Sequence, residues 1–115
     1  MYQVGIDVGS SAAKAVVMEG KTILKKVLLS TGFSSRQTAD HIYDLLAEAG
    51  FTKENARYVA TGYGRVSVPY ADQTVTEITC HARGAAHLFP GTGVVLDIGG
   101  QDSKVISTAP DGSVQ

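Results

Sequence analysis

A single cysteine, Cys80, and no tryptophan stand among 115 residues. No disulfide can close within the chain, which excludes the paired-cysteine scaffolds of small secreted domains and fits a reducing cytoplasm. The first residues, MYQVGIDVGSS, carry neither a basic leader region nor a cleavage pattern, so no signal peptide is expected. No apolar run is long enough for a membrane-spanning helix, which predicts no membrane. Ten basic and eleven acidic side chains leave a formal net charge of −1. Without a basic excess there is no electrostatic footprint for nucleic acid. No C-x-x-C and no His/Cys spacing suits structural zinc, and no G-x-x-x-x-G-K-[ST] is present to form a P-loop. Gly91-Thr92-Gly93 precedes a strand instead of following one, so the dinucleotide fingerprint is also excluded.

What the chain does have is a 43% hydrophobic content, enough for a core at the length of one domain, and thirteen glycines. The glycines gather at strand ends, where backbone turns sharply or meets a ligand closely. Apolar runs at Val4 to Val8, Ala12 to Met18 and Thr22 to Leu29, joined by short turns, predict an antiparallel meander. Ile42, Leu45, Leu46 and Ala49 then recur at helical spacing, with Ser34 or Ser35 as cap and Gly50 as the left-handed stop before Phe51. Tyr58 to Thr61 reads as a strand. Thr74 and Glu77 have the spacing of a capping box for a second helix with Ile78, Ala82, Ala85 and Phe89 on one face. Val94 to Ile98 and Lys104 to Ser107 read as a hairpin. The order β-β-β-α-β-α-β-β predicts an α/β fold: a mixed sheet with helices on its faces. A boundary is expected near Pro90 to Gly93, giving a first lobe over residues 1–90 and the start of a second over 91–115.

One phrase occurs twice. VGIDVGSSAAK starts at Val4 and VVLDIGGQDSK at Val94, each with a lysine seven positions after its aspartate. A strand that ends in Asp-x-Gly and turns at once into another strand presents backbone N–H groups that a phosphate can approach past glycine. Like charge keeps the aspartates from phosphate itself, but Asp7 and Asp97 can hold a Mg²⁺ ion through its waters. Two such turns facing each other would clamp a nucleotide polyphosphate. One phrase alone is an ordinary turn whose aspartate bonds its own loop; it is the matched pair that points to ATP or ADP.

The two turns resemble the phosphate motifs of the actin, sugar-kinase and heat-shock-chaperone ATPase fold. ATGYGR (Ala60 to Arg65), EITCHARGA (Glu77 to Ala85) and LDIGGQDSKVI (Leu96 to Ile106) are similar to one branch of it. That branch comprises the activators of 2-hydroxyacyl-CoA dehydratases and the related benzoyl-CoA reductase ATPase subunits. The resemblance implies a homodimeric ATPase with a 4Fe–4S cluster between its subunits, which passes an electron at low potential to the dehydratase. It further implies that Asp7 and Asp97 organise Mg²⁺. Gly9, Ser10, Ser11 and Lys14 would hold the β- and γ-phosphates, and Gly99, Gly100 and Gln101 would form the opposite turn. Members of the family continue well past Gln115 and carry their cluster cysteines there, so this chain is expected to be a fragment without cluster ligands, catalytically incomplete by itself. Cys80 is expected to be a buried structural thiol, Tyr63 a packing residue, and His81 and His87 packing or surface residues. Arg65 is open between phosphate, the other subunit and a plain surface role, and Glu77 between capping alone and a second role near the nucleotide cleft. A small-molecule kinase of the same fold is the rival reading, with Asp72 as its candidate base. A nucleotide-binding module without catalysis is the third.

Overall fold

The computed structural model describes residues 1–32, 34–88, 93–98, 103–107, 109 and 112–114. By contacts the chain forms two compact units, Met1–Thr74 and Val75–Gln115. The lobe boundary expected from the sequence, between residues 90 and 91, lies outside the described residues.

The first unit is a five-stranded mixed sheet with one long helix. Its strands are β1 (Tyr2–Val8), β2 (Ala12–Glu19), β3 (Thr22–Ser30), β4 (Ala56–Thr61) and β5 (Gln73–Thr74), in the order β3-β2-β1-β4-β5. The meander β1-β2-β3 is antiparallel, as its short turns require. The helix α1 (Ser35–Glu48) carries the chain across to β4, which lies parallel to β1, and β5 is parallel to β4. The second unit holds α2 (Glu77–Leu88) and the antiparallel hairpin β6 (Val94–Ile98) and β7 (Ser103–Ser107).

Alternation along the strands decides which face is buried. Val4, Ile6 and Val8 on β1, Ala13, Ala15 and Val17 on β2, and Ala56, Tyr58 and Ala60 on β4 are all at most 3% exposed. The covering element is α1, through Thr38, Ala39, Ile42 and Leu46. Ala49, expected on that apolar face, is exposed, because it is the C-cap, beyond the last full turn. The ends of α1 are closed by its sequence. Ser34 Oγ accepts from Gln37 N at 3.2 Å. Gly50, at φ +98°, donates to Ala47 O, and Phe51 N donates to Leu46 O at 2.9 Å, the paired bonds of a Schellman ending.

One difference concerns Thr74. Its pairing with Ala60 commits it to the short strand β5, so it cannot cap α2. Thr76 stands directly before α2, and its backbone carbonyl accepts the first bond of the helix, from Cys80 N at 3.2 Å. Two polar residues are too short a run to show strand periodicity, which is why β5 was not legible.

A tyrosine cluster ties α1 to the sheet. The rings of Tyr43, Tyr58 and Tyr70 lie 4.9–5.5 Å apart, within the favourable range for aromatic pairs. Tyr58 Oη donates to Phe51 O at 2.8 Å and Tyr70 Oη to Ala39 O at 2.5 Å. Burial, and then the neighbouring Tyr43, push the Tyr58 phenol up to about 12. Burial and then Tyr58 push that of Tyr70 higher still. A raised phenol keeps its proton in the folded chain after the unfolded chain has lost it. The stabilisation is therefore complete below about pH 10, the ordinary tyrosine value, and declines as pH rises from there towards the folded values. Thermal unfolding midpoints are expected to fall between pH 9 and pH 11. The fall should be shallower in a Tyr58→Phe/Tyr70→Phe double variant; equal slopes in the two proteins would contradict this account.

Candidate functional site

The end of β1 is where the first aspartate phrase becomes geometry. Val8 points into the core, so its neighbour Asp7 points to the face opposite α1. Its partners in the ladders are Lys14 on β2 and Thr61 on β4, and residues paired in register share a face. Lys14 Nζ stands 3.3 Å from Asp7 Oδ2, with the lysine side chain 52% and the aspartate side chain 24% exposed. The predicted phosphate lysine thus lies against the predicted metal aspartate.

The turn between the strands is held from below. Gly9 N donates to Ala12 O at 3.0 Å, and a Cβ on Gly9 would stand only 2.8 Å from that oxygen. Thr31, just past β3, donates from Oγ1 to Gly9 O at 2.9 Å and from N to Ser11 O at 3.0 Å. The turn's carbonyls are therefore drawn down towards the end of β3, while Ser10 and Ser11 are exposed. Among the described residues no hydrogen bond uses the N–H of Ser10 or Ser11. That is the polarity an anion site needs.

The loop after β4 seats against this turn. Gly62 has φ +91°, and a Cβ there would run into Asp7 Oδ1 and stand 2.5 Å from Val8 O. Gly64 N donates to Val8 O at 2.8 Å, and a Cβ on Gly64 would lie 2.7 Å from Ser35 Oγ. Arg65 Nη1 folds back to Gly62 O at 3.0 Å, so the guanidinium closes this loop. The two glycines of ATGYGR are there because the chain passes directly beneath Asp7. That tight passage throws Tyr63 outward. It is 75% exposed, correcting the expectation that it packs. A further residue was missed by the sequence reading. Thr61 Oγ1 is buried and has no hydrogen-bond partner among the described residues, a condition that ordinarily costs about 1–3 kcal/mol. Nothing in the local sequence distinguishes it from any strand threonine; only its register beside Asp7 does.

The second phrase folds into the same hairpin. Asp97 pairs with Lys104 as Asp7 pairs with Lys14, and Ile98 with Ser103 as Val8 with Ala13, leaving four residues in each turn. Gly99, Gly100 and Gln101 lie outside the described residues. Among the described residues no group of three or more His, Cys, Asp or Glu side chains is placed to hold a metal ion, and no helix is long and apolar enough to cross a membrane. Cys80 is half-buried in α2, not fully buried as expected. Asp72, the kinase reading's base, is engaged: Lys53 Nζ lies 2.5 Å from Oδ1 and Tyr58 N donates to Oδ2 at 2.8 Å. The hydrogen bond from Lys53, then that from Tyr58 N, hold its carboxyl below the ordinary value, which suits a structural anion and not a base.

Comparison with known proteins agrees with this geometry. The profile of the BadF/BadG/BcrA/BcrD ATPase family matches residues 4–115. The chain is 43% identical over 109 residues to the (R)-2-hydroxyglutaryl-CoA dehydratase activating ATPase of Acidaminococcus fermentans, covering 92% of this chain and 42% of that protein. The crystal structure of component A of that dehydratase superposes at a TM-score of 0.87 and 41% identity, over 99% of this chain and 45% of the other. The activator of the 2-hydroxyisocaproyl-CoA dehydratase from Clostridium difficile, solved with bound ADPNP, gives 0.85 and 35%, over 99% of this chain and 43% of the other. The fold is that of the actin-like ATPases, as the sequence implied. The chain spans less than half the length of these relatives.

Because Gly62 combines a left-handed φ with no room for a Cβ, Gly62→Ala should cost on the order of 3 kcal/mol or more in urea unfolding. Gly20→Ala is the control: it has φ +59° but open space around it, and about 1 kcal/mol is expected there. Equal costs at the two positions would show that the loop does not press on Asp7 and Val8.

Proposed function

This chain belongs to the BadF/BadG/BcrA/BcrD ATPase family, and we propose that its full-length protein is an ATP-hydrolysing activator. In that reading it drives low-potential single-electron transfer to a 2-hydroxyacyl-CoA dehydratase or a related reductase. The observation that carries the nucleotide half is the repeated hairpin, with Asp7 opposite Lys14 and Asp97 opposite Lys104 in one register. The names of the relatives support the dehydratase half.

Residues 1–90 are read as the first ATPase lobe and 91–115 as the start of the second. The turn at Gly9, Ser10 and Ser11 offers N–H and hydroxyl donors to phosphate oxygens, and Lys14 adds a positive charge within reach of them. Gly99, Gly100 and Gln101 are proposed to serve the same phosphates from the second hairpin. Mg²⁺ suits the residues at the end of β1. Asp7 offers a carboxylate, Thr61 a buried hydroxyl without a partner among the described residues, and Gly62 lets the chain pass against the carboxylate, where a side chain would collide with Asp7 Oδ1. Mg²⁺ is commonly held by one or two carboxylates together with substrate phosphates, and it would neutralise charge on the phosphates as they react. A 4Fe–4S cluster does not fit this chain, whose one cysteine cannot ligate four irons. Its ligands, the homodimer around it and a cytoplasmic setting belong to the proposal for the whole protein. The kinase alternative loses its base, since Asp72 is held by Lys53 and Tyr58.

In the full-length protein, Asp7→Asn and Asp97→Asn are each expected to slow ATP hydrolysis by about a hundredfold or more, given what one preorganised electrostatic contact is worth. Unchanged rates in both would remove the basis of the reading. Anaerobically prepared full-length protein should carry iron and sulfide, and Cys80→Ser should retain both. Loss of iron in Cys80→Ser would make Cys80 a ligand and overturn its assignment.

A further inference from the structure

Asp7 has a neighbour on each side. On β2 it faces Lys14, and its Oδ2 takes the ammonium at 3.3 Å. On β4 it faces Thr61, whose buried hydroxyl has no partner among the described residues. The other carboxylate oxygen, Oδ1, already lies where a Cβ of Gly62 would be, on the β4 side. The carboxylate therefore sits between a cation that holds it and a hydroxyl donor it does not use.

Lys14 is also a cation that phosphate would draw away. Its side chain is half exposed and its ion pair is a long one, so little holds it in place. Once it leaves, Asp7 loses its charge partner, and the Thr61 hydroxyl is the donor nearest in register. We propose that Thr61 is a positioning residue for Asp7: as Lys14 turns to phosphate, the carboxylate shifts onto the Thr61 hydroxyl, which donates to it and fixes it to receive a hydrated divalent cation. The lone pairs not used by Thr61 stay available to accept from the cation's waters. The shift satisfies a buried hydroxyl that has no other partner among the described residues, so nucleotide binding gains a contact beside Asp7. Only glycine fits at position 62 beside this carboxylate, because a Cβ there would collide with Asp7 Oδ1. This inference rests on the reading of Asp7 as the residue that faces the metal–nucleotide complex.

The test uses the full-length protein, with Thr61→Val, which keeps the shape and removes the hydroxyl, and Thr61→Ser, which restores it. Thermal midpoints are measured without ligand and with ADP over a range of Mg²⁺, and Mn²⁺ binding in the presence of ADP is followed by electron paramagnetic resonance. Without ligand, Thr61→Val should melt no lower than the parent protein, since it loses an unpaired hydroxyl and no bond. With ADP, the metal concentration for half the stabilisation should rise about tenfold, the usual scale for loss of a residue that orients a metal-facing group. Thr61→Ser should return it to the parent value. Parent-like metal dependence in Thr61→Val overturns the proposal, as does a clear drop in its ligand-free midpoint or failure to fold. Thr61→Ala repeats the metal titration without the added methyl. If the parent protein shows no stabilisation by Mg²⁺ and ADP, the nucleotide reading fails and this inference fails with it. Stabilisation of the parent with unaltered variants removes this inference alone.

Discussion

The parallel pairing of β1 with β4 is the contact on which the site depends. Parallel strands end together, so the turn after β1 and the loop after β4 emerge side by side at the same edge of the sheet. Open α/β sheets place their ligands at that edge, outside the carboxyl ends of the strands. Here the consequence is local and steric. The loop after β4 bonds through Gly64 N to the last carbonyl of β1 and passes under Asp7 at Gly62, so neither position tolerates a side chain. An antiparallel β4 would have carried that loop to the opposite end.

The same edge is anchored from three further directions. Thr31 at the end of β3 holds the Gly9 and Ser11 carbonyls, and Ser35 at the start of α1 lies against Gly64. Thr38, one turn into the helix, accepts from Gly32 N and donates to Ser34 O. These bonds link the turn to the packed face of the sheet, where Val8 and Ala13 are fully buried. A phosphate-binding turn must present its N–H groups without reorganising, and a turn whose carbonyls are already committed does that. The tyrosine cluster and the Lys53–Asp72 pair secure the other end of the sheet and take no part in the site.

Two hairpins with one register explain why the chain repeats a phrase. In the second hairpin Asp97 and Lys104 hold the register positions that Asp7 and Lys14 hold in the first. The first hairpin also contains an internal competition, because the charge that steadies Asp7 is the charge phosphate would claim. That competition is what assigns a role to Thr61.

Strand and helix order were legible in the chain, because alternation in Val4 to Val8, helical spacing at Ile42 and Leu46, and the Ser34 and Gly50 caps are local signals acting over a few residues. The family was legible for the same reason, since the strand, aspartate and glycine of each phrase are adjacent in sequence. Legibility stopped where distant residues met. Tyr63 was expected to pack and instead stands outside, because Gly64 is bonded to β1 and Gly62 packed against it, more than fifty positions earlier. Asp72 looked free to act as a base until Tyr58 and Lys53 reached it. Thr74 had the right spacing to cap a helix but pairs with Ala60 instead. By itself the sequence determined the main strands and helices and nominated candidate residues for the chemistry, since both are written in short-range patterns. Only the tertiary structure decided that Lys14 and Thr61 flank Asp7, because strand register is set by the packing of the whole sheet and not by any one strand.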